Sequence, residues 1–152
     1  MSRVAIIMGS KSDMECMKNC EEYLSYFNIE YDVNVLSAHR NPKEVSEFSQ
    51  NAESKGIKVI IAAAGMAAHL GGVVAAHTTL PVLGVPMKGG MMDGLDALLS
   101  MVQMPAGVPV PTLAAGNAGA RNAAITAAQI LALNDSMIKE KLIEFKKNGC
   151  KI

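Results

Sequence analysis

The stretch SAHRNP at residues 37–42 sets an imidazole, the side chain best suited to proton transfer at neutral pH, beside a guanidinium able to grip an anion through paired hydrogen bonds. His39 and Arg40 alone describe a surface loop as readily as a site. Other short stretches decide between these readings. In GSKSD, residues 9–13, the hydroxyls of Ser10 and Ser12 and the amides entering a helix converge on one point, which suits an anion. Asp13 would repel a phosphate and fits better as an acceptor for sugar hydroxyls. The same five residues also read as a plain turn with Ser12 or Asp13 capping a helix. GMAAHLGG at 65–72 brings a second histidine, His69, and PMKGG at 86–90 brings Lys88. Together these side chains describe a phosphorylated small molecule and a proton transfer.

For these stretches to meet, they must lie at the same end of a sheet. Val- and Ile-rich runs predict strands at 4–8, 31–36, 59–63 and 82–85, and a weaker one at 112–115. Between and after them, helices are predicted at 13–27, 42–55, 69–77, 95–102 and 121–133. A C-terminal helix at 135–147 has Asn134 as its expected N-cap. Strands such as VAIIM lack polar alternation, so helices should cover both faces. The expected fold is a single α/β domain over residues 1–152, a three-layer α/β/α sandwich with a parallel sheet, flavodoxin-like or Rossmann-like. Each stretch quoted above follows a predicted strand, where ligands sit in such sheets.

The 14 basic and 14 acidic residues balance, and no basic footprint for nucleic acid is present. No apolar run reaches the length of a membrane span. Cys16, Cys20 and Cys150 are too few and too badly spaced for zinc or a disulfide framework, and the N-terminus lacks a signal-peptide pattern, so a cytoplasmic protein is expected. Residues 57–133 hold five of the charged side chains, against 15 in residues 1–56. So long a neutral segment predicts a homo-oligomer with a large apolar interface. A phosphate-accepting signalling module would need an aspartate after the third strand, where the chain reads IIAAAGM. Flavin and dinucleotide fingerprints, a nucleophile elbow and a metal-ligand cluster are also missing from the loops. No cofactor and no metal are expected.

MGSKSD, SAHRNP, AAAGMAAHL, LPVLGVPM, SMVQMPAGVPV and AGNAGARNA, in this order and spacing, resemble the family of phosphoribosylaminoimidazole carboxylase catalytic subunits and N5-carboxyaminoimidazole ribonucleotide mutases. The resemblance implies an enzyme of purine biosynthesis that works on aminoimidazole ribonucleotide (AIR) and its 4-carboxy product (CAIR), with carbon dioxide as the transferred group. It implies a three-layer sandwich, a homo-octamer with sites at subunit contacts, and no cofactor. Position by position, it gives Ser10 and Ser12 to the ribose phosphate, Asp13 to the ribose hydroxyls, and Arg40 to the phosphate with Ser37 nearby. His39 becomes the general acid and base. Ala64, Gly65, Met66 and Ala67 line the imidazole ring and the carboxylate or carbon dioxide, and His69 and Leu70 close that pocket. A non-catalytic binding module on the same scaffold is disfavoured by the joint presence of Ser10, Asp13, His39 and Arg40.

The resemblance covers two reactions. The bacterial mutases resemble GGAAHLPGM where this chain has GMAAHLGGV, so Met66 replaces a glycine and Gly71 a proline, and His77 precedes Thr78. Met66 is expected to narrow the carbon dioxide pocket, and Lys88 adds a positive charge that the mutases usually lack there. These departures favour direct carboxylation of AIR by carbon dioxide, with the mutase as the alternative.

Overall fold

The computed structural model describes residues 3–152. Its strands are β1 (Val4–Met8), β2 (Tyr31–Val35), β3 (Val59–Ala64) and β4 (Val82–Pro86). Its helices are α1 (Met14–Tyr26), α2 (Pro42–Asn51), α3 (Leu70–Ala76), α4 (Leu95–Val102), α5 (Asn117–Leu131) and α6 (Ser136–Lys147). All strand pairs are parallel, in the order β2-β1-β3-β4.

The two-residue period of a strand builds two cores from one continuous apolar run. Val4, Ile6 and Met8 face the layer of α1, α5 and α6, while Ala5 and Ile7 face that of α2, α3 and α4. Ile6 and Ile7 are both fully buried, and each burial contributes about 2 kcal/mol of transfer free energy. The chain winds from β1 outward to β2, then crosses β1 to reach β3. The reversal point lies between β1 and β3, and there the loops on either side diverge to leave a crevice at the carboxyl ends.

The strands and most helices fall where the sequence places them, and three boundaries differ for identifiable reasons. The expected fifth strand is reduced to a single parallel bridge between Gly84 and Thr112. Pro86 on β4 has no amide with which to carry the ladder onward from that bridge, and its carbonyl accepts from the Gly116 amide, past the end of the expected strand. Helix α5 starts four residues before the expected Arg121, because the small residues of NAGA form its first turn instead of a loop. The cap of α6 is Asp135 and not Asn134: its carboxylate accepts from the amides of Met137 and Ile138 at 3.1 and 3.3 Å. Asn134 is still engaged in the closing turn of α5, donating its amide to the Leu131 carbonyl at 3.1 Å. Asp135 also pairs with Arg3, which first among its contacts holds its carboxyl below the usual range.

The neutral middle of the chain hides its apolar surface unevenly. Helix α5 buries Gly119, Ala120, Ala123, Ala124, Ala127, Ala128 and Leu131 within the chain's own interior, where small residues let it approach α1 closely. Apolar surface stays open along α4 and the turn before it, with Met91 76 % and Met92 77 % exposed and Leu99 51 %, and at Leu133 just past α5, 80 % exposed.

Candidate active site

The loops after all four strands enclose one cleft of about 640 Å³. The turn after β1 is built by Ser10, whose hydroxyl oxygen accepts from the Ser12 amide at 3.3 Å and the Ser12 hydroxyl at 2.9 Å. Ser10 is therefore the cap of the 3-10 turn Lys11–Asp13 that runs into α1, a role the sequence reading offered to Ser12 or Asp13. Asp13 makes no side-chain cap bond. Partial burial raises its carboxyl pKa, opposed by a hydrogen bond from the backbone around Ser10. An aspartate in that setting gains from ligand hydroxyls that donate to it.

The loop after β2 is fixed by bonds across its own chord. Asn41 donates its amide to the Ser37 carbonyl at 2.7 Å, and its side-chain oxygen accepts from the Ser37 amide at 3.2 Å. The Ser37 hydroxyl oxygen accepts from the amides of His39 and Arg40 at 3.3 and 3.2 Å. Pro42 then opens α2 at a position whose missing amide costs nothing. With its backbone pinned, this loop holds both His39 and Arg40 on the cleft wall.

His39 meets His69 across the cleft. Their Nε2 and Nδ1 atoms are 2.7 Å apart, and the rings cross edge to face at 82° with centroids 4.8 Å apart. At that separation one nitrogen carries the hydrogen and the other presents its lone pair, so both rings cannot be fully protonated in this geometry. Such a contact can hold one shared proton between the two rings. His69 was expected only to close a pocket, and its contact with His39 is a feature that residue spacing could not give, since 30 residues separate the two.

Met66 takes a left-handed backbone, with φ of 54°, and its side chain is 70 % exposed at the cleft wall. The Ser100 hydroxyl reaches its carbonyl at 3.5 Å. The Met87 amide donates to the Ala64 carbonyl at 2.9 Å, stitching the start of the Lys88 loop to the end of β3.

Ser10, Ser12, Asp13, Ser37, His39, Arg40, Ala64, Gly65, Met66, Ala67, His69, Leu70 and Lys88 all line this cleft. It is also lined by Gly9, Ala38, Met87, Gly89 and Gly90, which the sequence reading quoted as parts of their loops without a role of their own. Their signal was position after a strand, not residue type. Cys16 and Cys20 lie on α1 outside the cleft, and burial pushes both thiols up, with the Asp13 charge adding to the effect at Cys16. Among the described residues no three His, Cys, Asp or Glu side chains gather as metal ligands, and no helix is long and apolar enough to cross a membrane.

Residues 3–151 match the family model described as AIR carboxylase. The chain is 52 % identical over 147 residues to the N5-carboxyaminoimidazole ribonucleotide mutase of Haemophilus influenzae, covering 97 % of this chain and 90 % of the relative. It is 52 % identical to the Bacillus subtilis protein of the same name over 145 residues, 95 % of this chain and 90 % of the relative. The crystal structure of Treponema denticola PurE superposes with a TM-score of 0.89 at 27 % identity, covering 99 % of this chain and 92 % of that one.

These relatives overturn the expectation of direct carboxylation by carbon dioxide, since they bear the mutase name. Two of the departures that prompted it, Gly71 and His77, have other physical explanations. Gly71 is buried in α3, where a Cβ would stand 3.3 Å from the Val110 side chain and 3.8 Å from that of Ala62, so it answers to packing. His77 closes α3, its Nδ1 2.8 Å from the Val73 carbonyl. Met66 lines the cleft with most of its surface open to solvent. A single α/β domain with a four-stranded parallel sheet, matched over nearly its whole length by model and relatives alike, this chain belongs to the AIR carboxylase family.

Proposed function

We propose that this chain is an N5-carboxyaminoimidazole ribonucleotide mutase, moving a carboxylate from N5 to carbon 4 of the nucleotide to give CAIR. The observation that carries the proposal is the 52 % identity, over 97 % of the chain, to a relative of that name. The cleft geometry supports it. Arg40 and the turn Ser10–Asp13 take the ribose phosphate, with Asp13 accepting from the ribose hydroxyls. The backbone from Ala64 to Ala67 lines the ring, and Leu70 closes it in.

The chemistry then needs one proton carrier. The N5–carboxyl bond breaks as N5 receives a proton, leaving AIR and carbon dioxide side by side. Carbon 4, nucleophilic like an enamine carbon, forms the new bond to carbon dioxide and then loses its own proton. One proton is given and one is taken, so a single imidazole finishes each cycle as it began. His39 fills that role, with His69 at 2.7 Å as the second station that sets its tautomer. Holding the freed gas against the nucleophile replaces an encounter in solution, which is the larger part of the gain.

Assembly belongs to the same proposal. Met91, Met92 and Leu99, exposed beside the cleft, support burial against further copies of the chain, with the family's octamer as the expected state. Turnover with two substrates tests the activity. Purified protein given the N5-carboxy nucleotide should form CAIR rapidly, and given AIR with bicarbonate should form it far more slowly; the reverse order would remove the mutase assignment.

A further inference from the structure

Two cationic side chains stand on the cleft wall, Arg40 and Lys88. Arg40 follows β2 and Lys88 follows β4, the two edge strands of the sheet. Three interstrand spacings of about 4.8 Å separate those strands, roughly 14 Å in all. A ligand with an anion at each end suits such a cleft. The hydroxyls of Ser10 and Ser12 and the start of α1 lie after β1, beside the Arg40 edge, so a phosphate belongs there. The far end falls to Lys88.

The surroundings of Lys88 touch its stem and leave its head only loosely paired. Its carbon chain runs along Gly116, where a Cβ would stand 3.3–3.4 Å from Cγ, Cδ and Cε, so a side chain there would push it aside by a few tenths of an ångström. Gly116 is itself fixed by its amide donating to the Pro86 carbonyl at 2.9 Å. The Lys88 Nζ lies 3.8 Å from an Asp93 carboxylate oxygen, too far for a hydrogen bond, and both side chains are mostly exposed. The other Asp93 oxygen accepts from the Gly89 amide at 3.3 Å. Such an exposed, loose pair is worth little and yields readily to a better anion.

We propose that Lys88 grips the migrating carboxylate and makes the cleft select carboxylated nucleotides over AIR, an inference that rests on the mutase reading. N5 is carried by the ring carbon next to carbon 4, so the two carboxylate positions are neighbours. An ammonium with three donors on a flexible stem reaches both, whereas a guanidinium fork favours one. The carboxylate loses its charge as it becomes carbon dioxide, so this grip is stronger before and after the reaction than during it. Lys88 is therefore a specificity residue, and removing it raises KM without lowering kcat.

Calorimetric titration of CAIR and of AIR into wild type, Lys88→Met and Lys88→Arg, with turnover of the N5-carboxy nucleotide, tests this. Lys88→Met should bind CAIR roughly ten- to a hundredfold more weakly. Its AIR binding should stay within about twofold of wild type, its KM should rise and its kcat should hold or increase, and Lys88→Arg should recover most of the CAIR affinity. Equal loss of both nucleotides, loss of neither, or a fall in kcat at unchanged KM would overturn the proposal. Failure of the mutase reading shows separately, as wild-type protein that does not turn over the N5-carboxy nucleotide.

Discussion

The two walls of the cleft are made of different material. The wall after β1 and β2 is polar and held by its own side chains: Ser10 braces Ser12, Ser37 braces His39 and Arg40, and Asn41 closes the loop. The wall after β3 and β4 runs from Ala64 to Leu70 and from Met87 to Gly90, with apolar side chains, glycines and backbone groups in place of hydroxyls and with His69 and Lys88 as its polar side chains. One wall suits what does not change during a reaction, the sugar and phosphate. The other suits what does change, a group that alternates between a charged carboxylate and an uncharged gas. His39 and His69 come from opposite walls and meet between them.

If the walls divide the work in this way, the largest effect comes from breaking their junction. His39→Asn should lower kcat by at least about a hundredfold while CAIR still binds, because a positioned acid and base contributes roughly 10² to 10⁴. A near-normal kcat in this variant would remove His39 as proton carrier. On the polar wall, Arg40→Ala should weaken AIR and CAIR together by about ten- to a hundredfold, since both carry the phosphate. Selective loss of CAIR on losing the guanidinium would exchange the roles given to the two walls. Beside the second wall, Leu99→Asp should reduce the assembled mass seen by light scattering; an unchanged mass would place the subunit contact away from α4.

The smallest effect concerns Asp13. Burial raises its folded carboxyl above the unfolded value, so its ionised form is disfavoured in the fold, and the stability this group contributes is present at low pH and lost as pH rises through its folded range. Asp13→Asn should therefore raise the Tm of the unliganded protein at neutral pH, on the order of 1 °C, with the difference shrinking as the solution is acidified. The same variant should bind nucleotide less well. A Tm difference that grows on acidification would reverse the sign argued for this residue.

The same contrast explains how much the sequence discloses. The polar wall speaks through side chains: GSKSD and SAHRNP name their chemistry in residue types, and position after a strand brings them together. On the second wall His69 and Lys88 are named by residue type, whereas Met87, Gly89 and Gly90 carry no chemical label. Gly71 misleads for a related reason. It looks like a change to a pocket, but it sits in a contact between α3, Val110 and Ala62, neighbours that a linear chain does not reveal. In the fold, continuous apolar strands are legible because burial on both faces demands them. The lost fifth strand is a competition between apolar content and the missing amide of Pro86 on the partner strand, which only the observed pairing reveals.

The central claim is that the carboxyl group stays within the cleft while it changes atoms. It is tested by supplying the N5-carboxy nucleotide labelled with carbon-13 in its carboxylate, in a bath of unlabelled carbon dioxide and bicarbonate, and measuring the label in CAIR at early times. Retention of the label in CAIR is expected. Label diluted to the level of the bath would mean that the gas escapes and returns, and that the two walls do not hold it.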